Sequence, residues 1–218
     1  LKETGKADQL ATAGRTDTGT ELVAAPERSL SDLRVGDLLA RVMAALLPRE
    51  TISGGTADDD TVVGWENLPA VLDPACGEGA ALLAAADRFG DRVLLAGQEL
   101  DPGMAKAAAL RLSGDVSGAV YEIHVGDSLV DDQLAPYLGR AAAVVCEPPF
   151  DSPAWPEGQL TTDPRWEFGI PAPRDGELAW VQHSYAHLRP RGVAVVAVSR
   201  RTCVQPSGED IRSALVRS

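Results

Sequence analysis

The sequence predicts an α/β fold, a mostly parallel twisted sheet with helices on both faces. Two observations predict it. Short, continuously apolar runs at 70–72, 93–96, 142–146 and 193–198 alternate with segments of helical spacing. Strands that are apolar on both sides belong to sheets covered on both faces. In addition, the Gly-, Asp- and Glu-bearing motifs stand directly after these runs, at the carboxyl ends of strands, where open parallel sheets bind ligands.

The elements follow in order. Residues 1–30 are polar with little periodicity and read as a flexible or weakly structured lead; the domain proper is expected over 31–218. A helix begins near Ser31 or Asp32, either of which can cap it, and ends before Pro48. Val35, Leu38, Leu39, Val42, Met43 and Leu46 form its expected apolar face. Residues 51–60, with Gly54-Gly55 and Asp58-Asp59-Asp60, read as an acidic surface loop. The first strand, 70–72, leads into a glycine turn and a helix over 79–89. The second strand, 93–96, ends at Gln98-Glu99 and a helix follows over 103–112. The third strand covers 121–125, with a short helix at 133–137. The fourth covers 142–146 and runs into Glu147-Pro148-Pro149-Phe150. A loop spans 151–175. The next helix, 177–188, presents Leu178, Val181, Tyr185 and Leu188, and precedes a fifth strand at 193–198. A last helix covers 209–216.

Composition narrows the function classes. A chain of 218 residues suits one α/β domain with an extension. No apolar run is long enough to span a bilayer, and the N-terminus lacks a signal-peptide layout, so no membrane partner is expected. Cys76, Cys146 and Cys203 have no metal-type spacing, so no metal is expected, and an odd count without a secretory signal suits the cytoplasm. Leu1 in place of an initiator Met reads as a fragment. The net charge of −12 argues against this segment gripping DNA alone, because phosphate contacts need Lys and Arg.

Four places carry chemistry. Asp73-Pro74-Ala75-Cys76-Gly77-Glu78-Gly79 lies between a strand and a helix, and its glycines allow a sharp turn and close approach of a ligand. The third glycine of a dinucleotide fingerprint is missing, and no Lys-Ser/Thr of a P-loop follows. A ligand-free turn is the alternative. Glu99, followed by Leu100, ends the second strand about 20 residues on, where a carboxylate can accept ribose hydroxyls. Alone it is a solvated acid. Asp127, followed by Ser128, follows the third strand; it can accept an adenine amino group or simply serve as the N-cap of the next short helix. In Glu147-Pro148-Pro149-Phe150 the prolines stiffen the backbone between an acceptor and an aromatic ring. Such a corner can hold a flat amine or only end a strand.

Together these motifs resemble the class I S-adenosylmethionine-dependent methyltransferases, and more narrowly the N6-adenine DNA methylases. Asp73 to Gly79 looks like their D-P-A-C-G-x-G motif, Glu99 and Asp127 match their ribose and adenine acids, and Glu147 to Phe150 stands where the family has Asn-Pro-Pro-Tyr/Phe. The runs Asp163-Pro164-Arg165-Trp166-Glu167-Phe168-Gly169-Ile170-Pro171, Leu178-Ala179-Trp180-Val181-Gln182-His183 and Leu188-Arg189-Pro190-Arg191-Gly192-Val193-Ala194 are similar to the modification subunit of type I restriction systems. The likeness covers roughly 62–218.

The resemblance implies a Rossmann-like class I methyltransferase fold, here without its last strands, with S-adenosyl-L-methionine as cofactor. Asp73, Pro74, Ala75, Cys76, Gly77, Gly79, Glu99, Leu100, Asp127 and Ser128 would bind that cofactor. Glu147, Pro148, Pro149 and Phe150 would act on a flipped-out adenine, with Phe150 stacking on the base and Glu147 and the Pro148 carbonyl orienting its amino group. Trp155, Trp166 and Phe168 are candidates to meet the displaced strand, and Arg200 and Arg201 to meet phosphate. The expected partner is DNA, reached through a separate recognition region or specificity subunit, in a homodimer or hetero-oligomer. Two departures from the family stand out. Glu147 replaces Asn or Asp, and no Thr-Pro segment precedes the first helix around 24–35. The alternatives are a methyltransferase for protein glutamine or RNA, and a non-catalytic binding or assembly module.

Overall fold

The computed structural model describes residues 35–52, 68–90, 92–116, 119–150 and 163–218. These belong to one compact unit, Leu33–Ser218. The polar lead, the helix start at Ser31 or Asp32, the Asp58-Asp59-Asp60 loop and Trp155 lie outside the described residues.

Eleven elements of three or more residues matter for the site. They run α1 (Val35–Leu46), β1 (Ala70–Asp73), α2 (Ala80–Phe89), β2 (Leu94–Glu99), α3 (Pro102–Asp115), β3 (Val120–Val125), β4 (Ala141–Cys146), α4 (Gly176–His187), β5 (Leu188–Val196), α5 (Arg200–Val204) and α6 (Glu209–Arg217). The strands form one sheet in the order β3-β2-β1-β4-β5. Every pairing is parallel. The chain therefore winds outward one way from β1 through β2 to β3, then returns to the other side of β1 for β4 and β5. The crevice at this reversal lies between the carboxyl ends of β1 and β4.

The central strands β1, β2 and β4 are buried on both faces, as their unbroken apolar runs require, while the outer strands β3 and β5 are half-buried. Val71, Leu95, Ala143 and Val145 point to one side and pack with Ala40, Met43 and Leu47 of α1, Leu82 and Ala85 of α2, and Ala108 and Leu112 of α3. Leu72, Leu94, Ala96, Val144 and Cys146 point to the other and pack with Ala179 and Trp180 of α4, Leu129, Leu134 and Trp166. The Arg88 guanidinium caps the end of α1 through the Leu47 carbonyl, 3.0 Å from Nε, and Arg111 pairs with Asp37 at 2.7 Å.

Three expectations need correction. On α1 the buried stripe is Ala40, Met43, Ala44 and Leu47, whereas Leu38, Val42 and Leu46 are exposed, Leu46 by 64%. On α4 the buried set includes Gln182, His183, Ser184 and His187, while Tyr185 is at the surface. Gln182 can be buried there because both ends of its amide find partners: it receives the Phe168 N–H at 3.1 Å and donates to the Gly169 carbonyl at 2.8 Å.

The third correction concerns β5, which begins at Leu188 and ends at Val196, not at 193–198. Its pairing with β4 shifts between Ala141↔Leu188 and Ala143↔Val193. Pro190, Arg191 at φ +66° and Gly192 form the irregularity. The loop after Phe150 also contains a short 3-10 turn, Pro164–Trp166, and α5 occupies 200–204 where no helix was expected.

Candidate functional site

The turn after β1 is built by two left-handed glycines, Gly77 at φ +53° and Gly79 at φ +81°. Gly79 opens α2, and a side-chain carbon there would stand 3.2 Å from the Ala108 Cβ and 3.3 Å from its Cα. At Gly77 an added side-chain carbon would meet Met104 Cε at 3.6 Å, an ordinary contact, so it is the left-handed backbone rather than space that favours glycine there. Asp73, at the strand tip, is buried and accepts the Ala75 N–H at 3.2 Å. Burial, partly offset by that hydrogen bond and reinforced by the charges of Glu99 and Glu147, pushes its carboxyl up to about 7. Pro74 and Cys76 are buried and Ala75 half-buried. Burial, with Asp73 and Glu99 nearby, pushes the Cys76 thiol well up, so it packs as a neutral group.

β2 brings Glu99 to this turn. Its Oε2 accepts the Gly77 N–H at 2.8 Å and its Oε1 accepts the Asp101 N–H at 3.0 Å. Each carboxylate oxygen has two acceptor sites, so capacity remains for a ligand's hydroxyls. Leu100 is exposed next to it. Asp101 caps α3 through the Gly103 and Met104 N–H groups at 2.7 and 2.9 Å. Gln98, fully buried, spans to the next loop, donating to the Asp131 carbonyl at 2.7 Å and accepting the Gln133 N–H at 3.0 Å.

β3 delivers Asp127 and Ser128. The Asp127 Oδ1 accepts the Leu129 N–H at 3.0 Å, and its carbonyl accepts from Val130 and Asp131 at 3.0 and 2.7 Å. Asp127 thus closes a turn through one carboxylate oxygen and does not cap the next short helix, Ala135–Tyr137, whose N-cap is Leu134. The buried Ser128 hydroxyl donates to the Pro74 carbonyl at 2.6 Å, joining the β3 loop to the β1 turn. β4 delivers Glu147, exposed, then buried Pro148, exposed Pro149 and Phe150, whose ring is 47% exposed. The Glu147 charge adds to the upward push on both Asp73 and Cys146, which places it beside the β1 tip.

The sequence-derived candidates therefore meet at the carboxyl edge of one sheet, around the β1/β4 reversal. Of the aromatic candidates, Trp166 is buried in the core and Phe168 packs edge-on against Tyr185 with ring centres 4.9 Å apart. Arg200 and Arg201 are exposed at the start of α5, and Arg201 also reaches the Arg174 carbonyl at 3.3 Å. A cavity of about 640 Å³ lies elsewhere, lined by Gly139, Tyr185, Leu188 and Arg191 near the start of β5, and none of the candidates lines it.

One buried cluster escaped the sequence reading. Asp132, His183 and His187 bring ligand-type atoms within 4.8 Å of one another. Arg165, 5% exposed, already supplies the positive charge: its Nη1 lies 2.8 Å from His183 Nδ1 and 3.4 Å from Asp132 Oδ2. A guanidinium only donates, so His183 Nδ1 is the acceptor, and burial with His187 and Arg165 nearby holds this ring below the usual range, hence neutral. The lone pair a metal would need from it is in use. The donor set does not fit a metal ion. Burial opposes the Asp132 charge, but the hydrogen bond with His187 and the charge of Arg165 outweigh it and hold the carboxyl below its usual range. The signals present in the sequence were two histidines four apart on a helix and the Asp-Pro-Arg run, neither of which names its distant partners.

A family model described as N-6 DNA methylase matches residues 61–218. The chain is 28% identical over 159 residues to the type I restriction enzyme HindI methylase subunit of Haemophilus influenzae, covering 68% of this chain and 35% of that protein. It is 31% identical over 182 residues to the ribosomal RNA small subunit methyltransferase H of Heliobacterium modesticaldum, covering 78% of this chain and 54% of that one. The chain thus spans about a third to a half of these relatives' lengths. Among solved structures, the type I restriction-modification system methyltransferase subunit from Streptococcus thermophilus superposes with a TM-score of 0.66 at 22% identity, over 82% of this chain and 37% of that one. The shared fold is the parallel, Rossmann-like sheet of class I methyltransferases expected from the sequence.

Proposed function

The chain belongs to the N-6 DNA methylase family, and from that premise we propose that it binds S-adenosylmethionine and transfers a methyl group to the N6 amino group of adenine in DNA, as the modification subunit of a type I restriction-modification-type system. The observation that carries the reading is the meeting of Glu99 with the Gly77 turn at 2.8 Å, beside the β1/β4 reversal. That geometry suits a nucleoside: glycine backbone for close approach and a carboxylate with spare acceptor sites for the ribose.

In this reading Asp73, Pro74, Ala75, Cys76, Gly77 and Gly79 cradle the methionine end, Glu99 and Leu100 take the ribose, and Asp127 with Ser128 takes the adenine ring. The cofactor supplies a methyl group activated on a sulfonium. The protein's part is placement and electrostatics. Glu147 accepts a hydrogen bond from the target amine and favours the positive charge that develops on nitrogen. Pro148 and Pro149 fix the backbone that aims it, and the exposed Phe150 ring stacks on the extruded base. With a net charge of −12, the phosphate grip comes from a separate recognition region or specificity subunit. Among the described residues no helix is long and apolar enough to cross a membrane, and the free thiols of Cys76, Cys146 and Cys203 suit a reducing cytoplasm.

The similarity to a ribosomal RNA methyltransferase favours a second reading, methyl transfer to RNA. Transfer of labelled methyl groups by the full-length protein with its recognition partner separates the two. Label in N6-methyladenine of duplex DNA supports the first reading; label confined to RNA supports the second. Glu147→Ala is expected to lower the DNA rate about a hundredfold while leaving cofactor affinity nearly unchanged. A cofactor-bound protein that methylates neither acceptor is a binding module.

A further inference from the structure

We infer that Arg165 is a positioning residue for the cofactor site. Its guanidinium holds in place the backbone that carries Asp127 and Ser128. The inference rests on the cofactor reading above for its functional consequence, while the positioning itself stands on geometry alone.

Arg165 lies in the 3-10 turn Pro164–Trp166, beyond the double-proline corner in the chain, yet its head group reaches the loop after β3. Nη1 donates to the Ser128 carbonyl at 2.7 Å and Nη2 to the Leu129 carbonyl at 2.9 Å. These are the two residues that follow Asp127. Ser128 is also the residue whose hydroxyl binds the Pro74 carbonyl at 2.6 Å, so one peptide stretch is pinned to Arg165 on one side and to the β1 turn on the other. The Leu129 N–H in turn orients the Asp127 carboxylate at 3.0 Å. A shift of Ser128 and Leu129 would move both the proposed adenine acceptor and the cofactor turn.

The guanidinium is itself fixed. Asp163 accepts from Nη2 at 2.6 Å and from Nε at 2.9 Å, Asp132 lies 3.4 Å from Nη1, and His183 Nδ1 accepts from Nη1 at 2.8 Å. A planar fork with five donors can serve two adjacent carbonyls, a carboxylate and an imidazole at once; the three-donor ammonium of lysine cannot.

The test compares Arg165→Lys and Arg165→Met with Arg111→Met, which breaks the Asp37 pair on the opposite face of the sheet. Two quantities are read in each: amide hydrogen exchange without cofactor, and the Kd for S-adenosylmethionine by calorimetry, well below each variant's Tm. The expected result for Arg165→Lys is at least tenfold faster exchange at Leu129, Val130 and Asp131, with a cofactor Kd raised at least tenfold. Arg111→Met should lower Tm and change neither. Unchanged exchange at the three amides overturns the proposal, as does faster exchange with an unchanged Kd. If Arg165→Met does not fold, the milder lysine variant decides. If the parent protein binds no cofactor, the functional reading falls, and the exchange data still decide whether Arg165 holds the loop.

Discussion

Asp73 sits at the point where the first strand ends and three carboxylates converge, and its burial there is a cost. A carboxyl raised from 3.8 to about 7 is held more easily protonated than ionised. The folded state therefore binds this proton more tightly than the unfolded chain does. The contribution to stability is complete below pH 3.8 and is lost as the pH rises towards 7, by roughly 4 kcal/mol if nothing else titrates. Asp73→Asn should accordingly flatten the fall of stability with pH across that window, relative to the parent, in urea denaturation run from pH 4 to 8. A parallel pair of curves would mean that Asp73 does not titrate there. At the same scale, Asp132 works in the opposite sense. Its carboxyl is depressed, so its contribution is present at neutral pH and lost on acidification. Arg165 keeps its pair with Asp163, so Asp132→Ala should cost about 1–3 kcal/mol at pH 7, read as the change in unfolding free energy.

Elements are placed by glycine as much as by apolar pattern. At Gly79 an alanine would need a left-handed backbone and a contact of 3.2 Å with Ala108, so α2 and α3 would have to part. At Gly97, within β2, an added carbon would come to 2.9 Å from Cys76 Sγ, Ile123 Cδ1 and Leu82 Cδ1. We expect Gly97→Ala to destabilise by about 1–3 kcal/mol through overpacking, and Gly79→Ala by a similar amount while also weakening cofactor binding. Thermal unfolding and calorimetry read the two effects.

The strands were legible because their runs are apolar on both faces, and the glycine turn because Asp73 to Gly79 has so few other uses. Glu99 and Asp127 were legible from position, as acids at or just past the carboxyl ends of strands. What stayed hidden depended on partners far away in the chain. The α1 face was legible in part: Met43 is buried and Leu39 half-buried as expected, but Ala40, Ala44 and Leu47 complete the stripe, because helical spacing does not say which flank meets a neighbouring helix. The early half of β5 was hidden by Pro190 and Gly192, which read as a turn and act as a bulge. The polar burial on α4 needed Gln182 to find Phe168 and Gly169, and His183 to find Arg165; no periodicity carries that information.

The whole molecule joins a site suited to a nucleoside with a surface ill suited to nucleic acid. At a net charge of −12 the chain should not bind duplex DNA detectably by itself at physiological salt, and binding should appear, with a steep salt dependence, only with a recognition partner. Fluorescence anisotropy of labelled duplex, with and without that partner, tests this. The division of labour makes cofactor binding the property the chain must possess on its own. Titration calorimetry of S-adenosylmethionine into the parent protein and into Glu99→Ala is the most direct measurement of it. The account predicts a saturable single site in the parent and an affinity at least tenfold weaker in the variant. Equal affinity in the two proteins, or no heat from either, would contradict it.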